Sequence, residues 1–121
     1  MLFRSEIESM SIIGDVTGQD VVLIDDICDT AGTLSKAAAL IMENGAKSVR
    51  AVCTHAVLSG KAYETIENSV LSELIVTDTI QLDPSKQATC SKIKVLSTAD
   101  LFANAIKNVN EHGSISGLFV V

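Results

Sequence analysis

One stretch limits what this chain can fold into more than any other: Val21-Val-Leu-Ile-Asp-Asp-Ile-Cys-Asp-Thr-Ala-Gly-Thr33. Val21, Val22, Leu23 and Ile24 are four successive apolar residues, three of them β-branched, and read as a buried parallel strand. Two carboxylates, Asp25 and Asp26, stand at its carboxyl end. Asp29-Thr30-Ala31-Gly32-Thr33 then reads as a loop of small residues and hydroxyls. Behind it Leu34, Ala37, Ala38, Ile41 and Met42 recur with the period of a helix. A helix N-terminus offers unpaired amides and the positive end of the dipole, which favour a phosphate. The hydroxyls of Thr30 and Thr33 add donors, and Gly32 lets a ligand come close to the backbone. Carboxylates accept hydrogen bonds from sugar hydroxyls or hold a magnesium ion through its waters. The stretch therefore suits a phosphorylated polyol.

A plainer reading of the same residues exists. Asp29 or Thr30 can serve only as an N-cap, and Gly32 only as a turn residue. The adjacent acids weigh against it, because paired carboxylates at a strand end repel each other and add nothing to a core. They suggest a cation or a diol.

The chain has 121 residues, one domain's worth over 1–121, with 47% apolar and 20% charged residues, so a globular core is expected. Its net charge of −6 disfavours a nucleic-acid or anionic-membrane surface. No apolar run reaches membrane-spanning length, and Met1-Leu-Phe-Arg-Ser-Glu lacks a signal-peptide apolar region. Cys28, Cys53 and Cys90 show no metal-ligand spacing and read as reduced thiols of a cytoplasmic protein. Cys53 belongs to a core, whereas Cys28 lies in the binding loop, a position open to access, with nothing nearby that argues for a reactive thiolate. No phosphate loop of the G-x-x-x-x-G-K-[ST] type and no G-x-G-x-x-G is present.

The rest of the chain alternates strands and helices. Residues 1–20 read as an incomplete lead-in, with a short strand from Met10 to Ile13 and turns at Gly14-Asp15 and Gly18-Gln19-Asp20. Asn44-Gly45 stops the first helix. Val49 to Cys53 is a strand ended by Thr54-His55. Tyr63, Ile66 and Val70 outline a short helix, Leu74 to Thr77 and Ile93 to Leu96 are further strands, and 83–91 is a loop around Pro84. Ser97-Thr98-Ala99-Asp100 resembles a capping box before a helix with the apolar face Phe102, Ala105, Ile106 and Val109. The tail from Ser116 to Val121 is expected to add an edge strand or pack on a partner. The lysines, Lys92 among them, read as surface, and His55 as a strand-end histidine bonded to a loop. The class is α/β with a mainly parallel sheet flanked by helices. Ligands bind outside the carboxyl ends of such strands, which places Asp25–Thr33, Thr54–Gly60 and Thr77–Thr79 along one edge.

Val21–Thr33 resembles the phosphoribosyl-diphosphate binding motif shared by type I phosphoribosyltransferases and ribose-phosphate diphosphokinases, the synthetases of 5-phosphoribosyl 1-diphosphate (PRPP). The rest resembles the carboxyl-terminal domain of the synthetases. Ile13-Gly14-Asp15-Val16, Thr54-His55-Ala56-Val57-Leu58-Ser59-Gly60, Val76-Thr77-Asp78-Thr79-Ile80, Cys90–Val95, Ala105-Ile106 and Ser114–Phe119 carry that likeness in order. The resemblance implies a phosphoribosyltransferase-like domain and an enzyme in which the anomeric hydroxyl of ribose 5-phosphate attacks the β-phosphorus of ATP, with Mg2+. Asp29, Thr30, Ala31, Gly32 and Thr33 would cradle the 5-phosphate. Asp25 and Asp26 would meet the ribose hydroxyls and the shared metal. The family's catalytic Lys and Arg loop and its ATP site lie upstream of this stretch, so no catalytic residue is expected here, and ATP would bind only with that amino-terminal domain. The chain alone is expected to bind a sugar phosphate weakly and to catalyse nothing. Ser114, Ser116 and Phe119 match the family's regulatory tail, while Lys107-Asn108 replaces a usual basic pair. The family assembles as hexamers, which implies a homo-oligomer. Three rivals stand beside this reading: a synthetase-associated regulatory subunit, a phosphoribosyltransferase, and a phosphoacceptor receiver domain. The last needs a third carboxylate where Cys53-Thr54-His55 stands.

Overall fold

The structure, a computed structural model, describes residues 3–5, 10–12 and 14–118. Two short strands, β1 (Phe3–Ser5) and β2 (Met10–Ile12), pair antiparallel apart from the main sheet. Glu6, Glu8 and Ile13 of the expected lead-in lie outside the described residues. The main sheet is parallel, in the order β3 (Asp20–Cys28), β4 (Ser48–Ala56), β5 (Leu74–Thr77) and β6 (Ile93–Leu96). Helices α1 (Gly32–Glu43), α2 (Ala62–Glu67) and α3 (Pro84–Gln87) connect these strands, and α4 (Ala99–Asn110) follows β6. The expected α/β class with a parallel sheet is the one observed.

Strands form where β-branched residues cluster, in Val21–Ile24, Val49–Val52 and Ile75–Thr77. Strand neighbours follow sequence order, and right-handed crossovers moving in one direction place their helices on one face. Ala37, Ala38 and Ile41 of α1, with Ala62, Tyr63 and Ile66 of α2, are buried there with Leu23, Val49, Ala51, Leu74 and Val76. The alanines let helix backbone approach the sheet closely. At the end of α1, Gly45 has φ of 94°, a left-handed position, and its amide donates to the Met42 carbonyl at 3.1 Å. Gly18 N–H donates to the Gly45 carbonyl at 2.8 Å, which ties the turn before β3 to the exit of α1.

The opposite face differs from the expectation of a fully buried strand. Ile24, Val52, Ile75 and Lys94 form one row across the register, and Val22 pairs beside Arg50. Val22 is half exposed and Ile24 is 83% exposed. Periodicity finds an apolar strand but not the number of its faces that are covered.

Other departures have local causes. β3 runs on through Asp25 and Asp26 to Cys28, and β4 runs to Ala56, because Ile27 pairs with His55 and Cys28 with Ala56. The 83–91 segment holds the one-turn helix α3 rather than a plain loop: Pro84 opens it, and the Asp83 carboxylate accepts from Ser85 N–H at 2.9 Å. Val70 lies beyond α2 and is exposed. Thr98, at the N-cap of α4, makes no side-chain cap bond, whereas the Ser97 hydroxyl accepts from the Ala99 amide at 3.2 Å, as a capping serine does. Asp78 accepts from both the Thr98 amide (2.9 Å) and the Thr98 hydroxyl (2.5 Å), and these bonds hold its carboxyl below the ordinary value. The apolar face of α4 is not packed: Phe102, Ile106 and Val109 are exposed. Lys92 is not a plain surface residue, since its ammonium donates to the Ser69 carbonyl at 2.7 Å. Ser116–Leu118 forms a 3-10 turn where an edge strand was an option, and Phe119–Val121 lie outside the described residues.

Candidate functional site

The site lies where β3 hands over to α1. Val21 and Leu23 alternate into the core, which aims Asp25 to the same side, above the helix N-terminus. The alternation then breaks, and Cys28 rather than Ile27 is buried; β4 shifts in step, with Cys53 and Ala56 buried three residues apart. The Cys53 thiol there donates to the His55 carbonyl at 3.3 Å. A cavity of about 250 Å³ opens at this level. Asp25, Asp29, Thr30, Ala31 and Thr33 line it, with Cys28 and Cys53 at its floor.

Five of the seven expected binding residues thus share one cavity. The other two do not line it. Asp26 follows Asp25 on the strand and takes no part in the wall. Hydrogen bonding with the Asp25 carboxyl, then with the Ile27 amide, holds the fully exposed Asp26 carboxyl below its usual value. Gly32 is the first residue of α1, and its backbone needs no glycine. A Cβ there would meet only the Thr30 hydroxyl, at 3.8 Å, which is ordinary contact. The left-handed residue is Ala31, with φ of 66°.

Neither Asp29 nor Thr30 caps α1, contrary to the plainer reading. The N-cap position is Ala31, with no side-chain cap. Among the described residues, the successive amides of Thr30, Ala31, Gly32, Thr33 and Leu34 donate to no carbonyl and no side chain. Five amides left open at the positive end of a 12-residue helix form a concavity suited to an anion.

A second segment braces this loop. Val57 and Leu58 amides donate to the Cys28 carbonyl at 3.0 and 3.1 Å, and the Ser59 amide donates to the Asp29 carbonyl at 3.0 Å. The Ser59 hydroxyl also donates to the Asp29 carboxylate. Thirty residues separate Asp29 from Ser59, so no local pattern could have paired them; only the expected meeting of Thr54–Gly60 with Asp25–Thr33 on one edge pointed this way. His55 Nδ1 lies 2.8 Å from the Thr79 hydroxyl, as a strand-end histidine bonded to a loop. Ser114 and Ser116 hydroxyls lie 2.7 Å apart in the tail, away from the cavity walls; Phe119 lies outside the described residues.

Among the described residues no three His, Cys, Asp or Glu side chains converge as metal ligands. Asp25 and Asp26 are adjacent carboxylates, the donor type that a magnesium ion held mainly through water and substrate takes, and of the two only Asp25 lines the cavity. No described helix is long and apolar enough to cross a membrane.

Cys28 is buried, not accessible. Burial first, then the neighbouring Cys53 and the carboxylates of Asp25 and Asp29, push its thiol up to about 12. At pH 8 almost none is thiolate, the form that attacks alkylating agents. Iodoacetamide at pH 8 should therefore label Cys28 in the native chain at least about a hundredfold more slowly than in urea, as read by mass spectrometry of the peptides. Equal rates would contradict this placement.

The fold is an α/β domain whose cavity opens at the carboxyl edge of a parallel sheet. The chain belongs to the phosphoribosyl synthetase-associated domain family, whose model matches residues 2–120. It is 54% identical over 116 residues to a ribose-phosphate pyrophosphokinase of Campylobacter jejuni, a match covering 96% of this chain and 36% of that protein. A ribose-phosphate pyrophosphokinase of Porphyromonas gingivalis is 54% identical over 118 residues, covering 98% of this chain and 36% of the relative. The crystal structure of phosphoribosylpyrophosphate synthetase from Mycobacterium smegmatis superposes with a TM-score of 0.83 at 39% identity, over 89% of this chain and 36% of that one. The chain spans about a third of the length of the curated relatives it matches.

Proposed function

We propose that this chain is the ribose 5-phosphate and PRPP binding portion, the carboxyl-terminal half, of a ribose-phosphate diphosphokinase. The observation that carries the reading is the run of open amides from Thr30 to Leu34, four of whose five residues line one cavity with Asp25. The amides and the Thr30 and Thr33 hydroxyls receive the 5-phosphate dianion. Asp25 accepts from the ribose hydroxyls, and Asp26 adds negative charge toward a hydrated Mg2+. When bound, that ion neutralises charge on the diphosphate. The work of this chain is positioning: it fixes the sugar by its phosphate and diol, so that C1 and its hydroxyl face outward from the sheet edge toward the ATP-binding remainder of the parent. The parent transfers diphosphate from ATP to C1 of ribose 5-phosphate, acts in the cytoplasm and assembles as a homo-oligomer. Ser114, Ser116 and Phe119 serve a regulatory site of that assembly.

The test is an amide NMR titration of the 121-residue chain with ribose 5-phosphate, with and without Mg2+, against inorganic phosphate. Saturable shifts at Gly32 and Thr33, larger for the sugar phosphate, are expected. Equal responses to phosphate and ribose 5-phosphate would reduce the site to a generic anion-binding helix end, and no response would overturn the reading.

A further inference from the structure

We infer that Ser59 is a positioning residue that keeps the phosphate loop open by holding the Asp29 carboxylate off the amides it would otherwise cap. The inference rests on the reading of that loop given above and adds a residue to it.

An aspartate in a turn ordinarily accepts from the backbone amide two residues ahead. Two acids of this chain do so: Asp15 accepts from Thr17 N–H at 2.9 Å, and Asp83 accepts from Ser85 N–H at 2.9 Å. Asp29 does not, and neither does Asp78, whose carboxylate is held by Thr98. The amide two residues ahead of Asp29 is Ala31, which is open, as is Gly32 beyond it. The Asp29 carboxylate is instead engaged by the Ser59 hydroxyl. Turned back on its own loop, the carboxylate would place an anion on the same amides that the proposed phosphate needs, and the two would compete.

Ser59 is itself fixed on both sides. Its amide donates to the Asp29 carbonyl at 3.0 Å, and its carbonyl accepts from Ala62 N–H at 3.1 Å. The preceding Leu58 has φ of 50° and is buried. A non-glycine residue holds the left-handed region when its surroundings enforce it; here an anchored side chain and two bonds to the Cys28 carbonyl do so. The turn after β4 therefore presents the Ser59 hydroxyl in one place, against Asp29.

Three chains test this: wild type, Ser59→Ala and Ser59→Thr, with Ser59→Ala/Asp29→Ala as the control for the competing carboxylate. Ser59 is exposed, so the fold is expected to survive, which unchanged core resonances verify. Without ligand, Ser59→Ala should slow hydrogen exchange at the Ala31 and Gly32 amides, and adding Asp29→Ala should remove that protection. In titrations with inorganic phosphate and ribose 5-phosphate, Ser59→Ala should bind on the order of fivefold more weakly, and Ser59→Thr, which keeps the hydroxyl, close to wild type. A Ser59→Ala chain with unprotected loop amides and wild-type affinity overturns the inference. If the wild-type chain binds neither probe, the proposed function fails, while amide protection in the ligand-free variants still decides the role of Ser59.

Discussion

Gly32→Val is expected to abolish ribose 5-phosphate binding while the chain stays folded. The protein itself has no need of glycine there. The position is not left-handed, and an added Cβ would meet only the Thr30 hydroxyl at an ordinary 3.8 Å. As the first residue of α1, glycine even costs the helix up to about 1 kcal/mol relative to alanine. On the proposed function, a branched side chain there crowds the open amides of Thr30 to Leu34, which a phosphate must approach to hydrogen-bond distance. Affinity should fall by roughly a hundredfold or more, as expected when a charge-assisted anion contact is sterically blocked. The check is the NMR titration used for wild type, paired with a circular-dichroism melt. A folded variant that still saturates at wild-type concentrations would show that the ligand sits elsewhere.

The second large effect concerns stability and contrasts two isoleucines. Ile41 is completely buried between α1 and the sheet, whereas Ile24 is 83% exposed on the opposite face. Ile41→Ala removes three buried carbons and leaves a void among side chains that relax only partly, at a cost of about 3 kcal/mol. That is a large share of the roughly 5–15 kcal/mol by which domains are stable. The melting temperature should drop by roughly 10–20 °C. Ile24→Ala should change stability by less than about 0.5 kcal/mol, the usual range for an exposed position. Urea denaturation of both variants at one protein concentration reads the difference. Equal costs would mean that the face carrying Ile24 is covered in solution.

β5 and β6 were legible to the residue, because Leu74–Thr77 and Ile93–Leu96 are short apolar runs with polar flanks. The helical period of Leu34 to Met42 was equally plain. The extents of β3 and β4 were not, since the pairing that carries them through Asp25–Cys28 and Thr54–Ala56 joins segments far apart in the chain. α3 was missed although its cap and its proline were in view, because a polar 83–91 segment reads as loop until Asp83 is seen to hold Ser85. Within the site, residue types indicated the phosphate loop and the acids. That Asp25 lines the cavity and Asp26 does not depends on strand phase near a break in alternation. That Asp29 is held by Ser59 depends on a contact thirty residues away.

The row of Ile24, Val52 and Ile75 has a thermodynamic consequence. Parallel sheets are ordinarily sheltered on both sides, and here the described helices shelter one. A second copy of the chain that settles on the second side binds the folded form and not the unfolded one. By mass action it raises apparent stability with the logarithm of its concentration. A melting temperature for these 121 residues is therefore a property of the solution as much as of the chain, and its slope against protein concentration measures how strongly that face attracts a second copy of the chain.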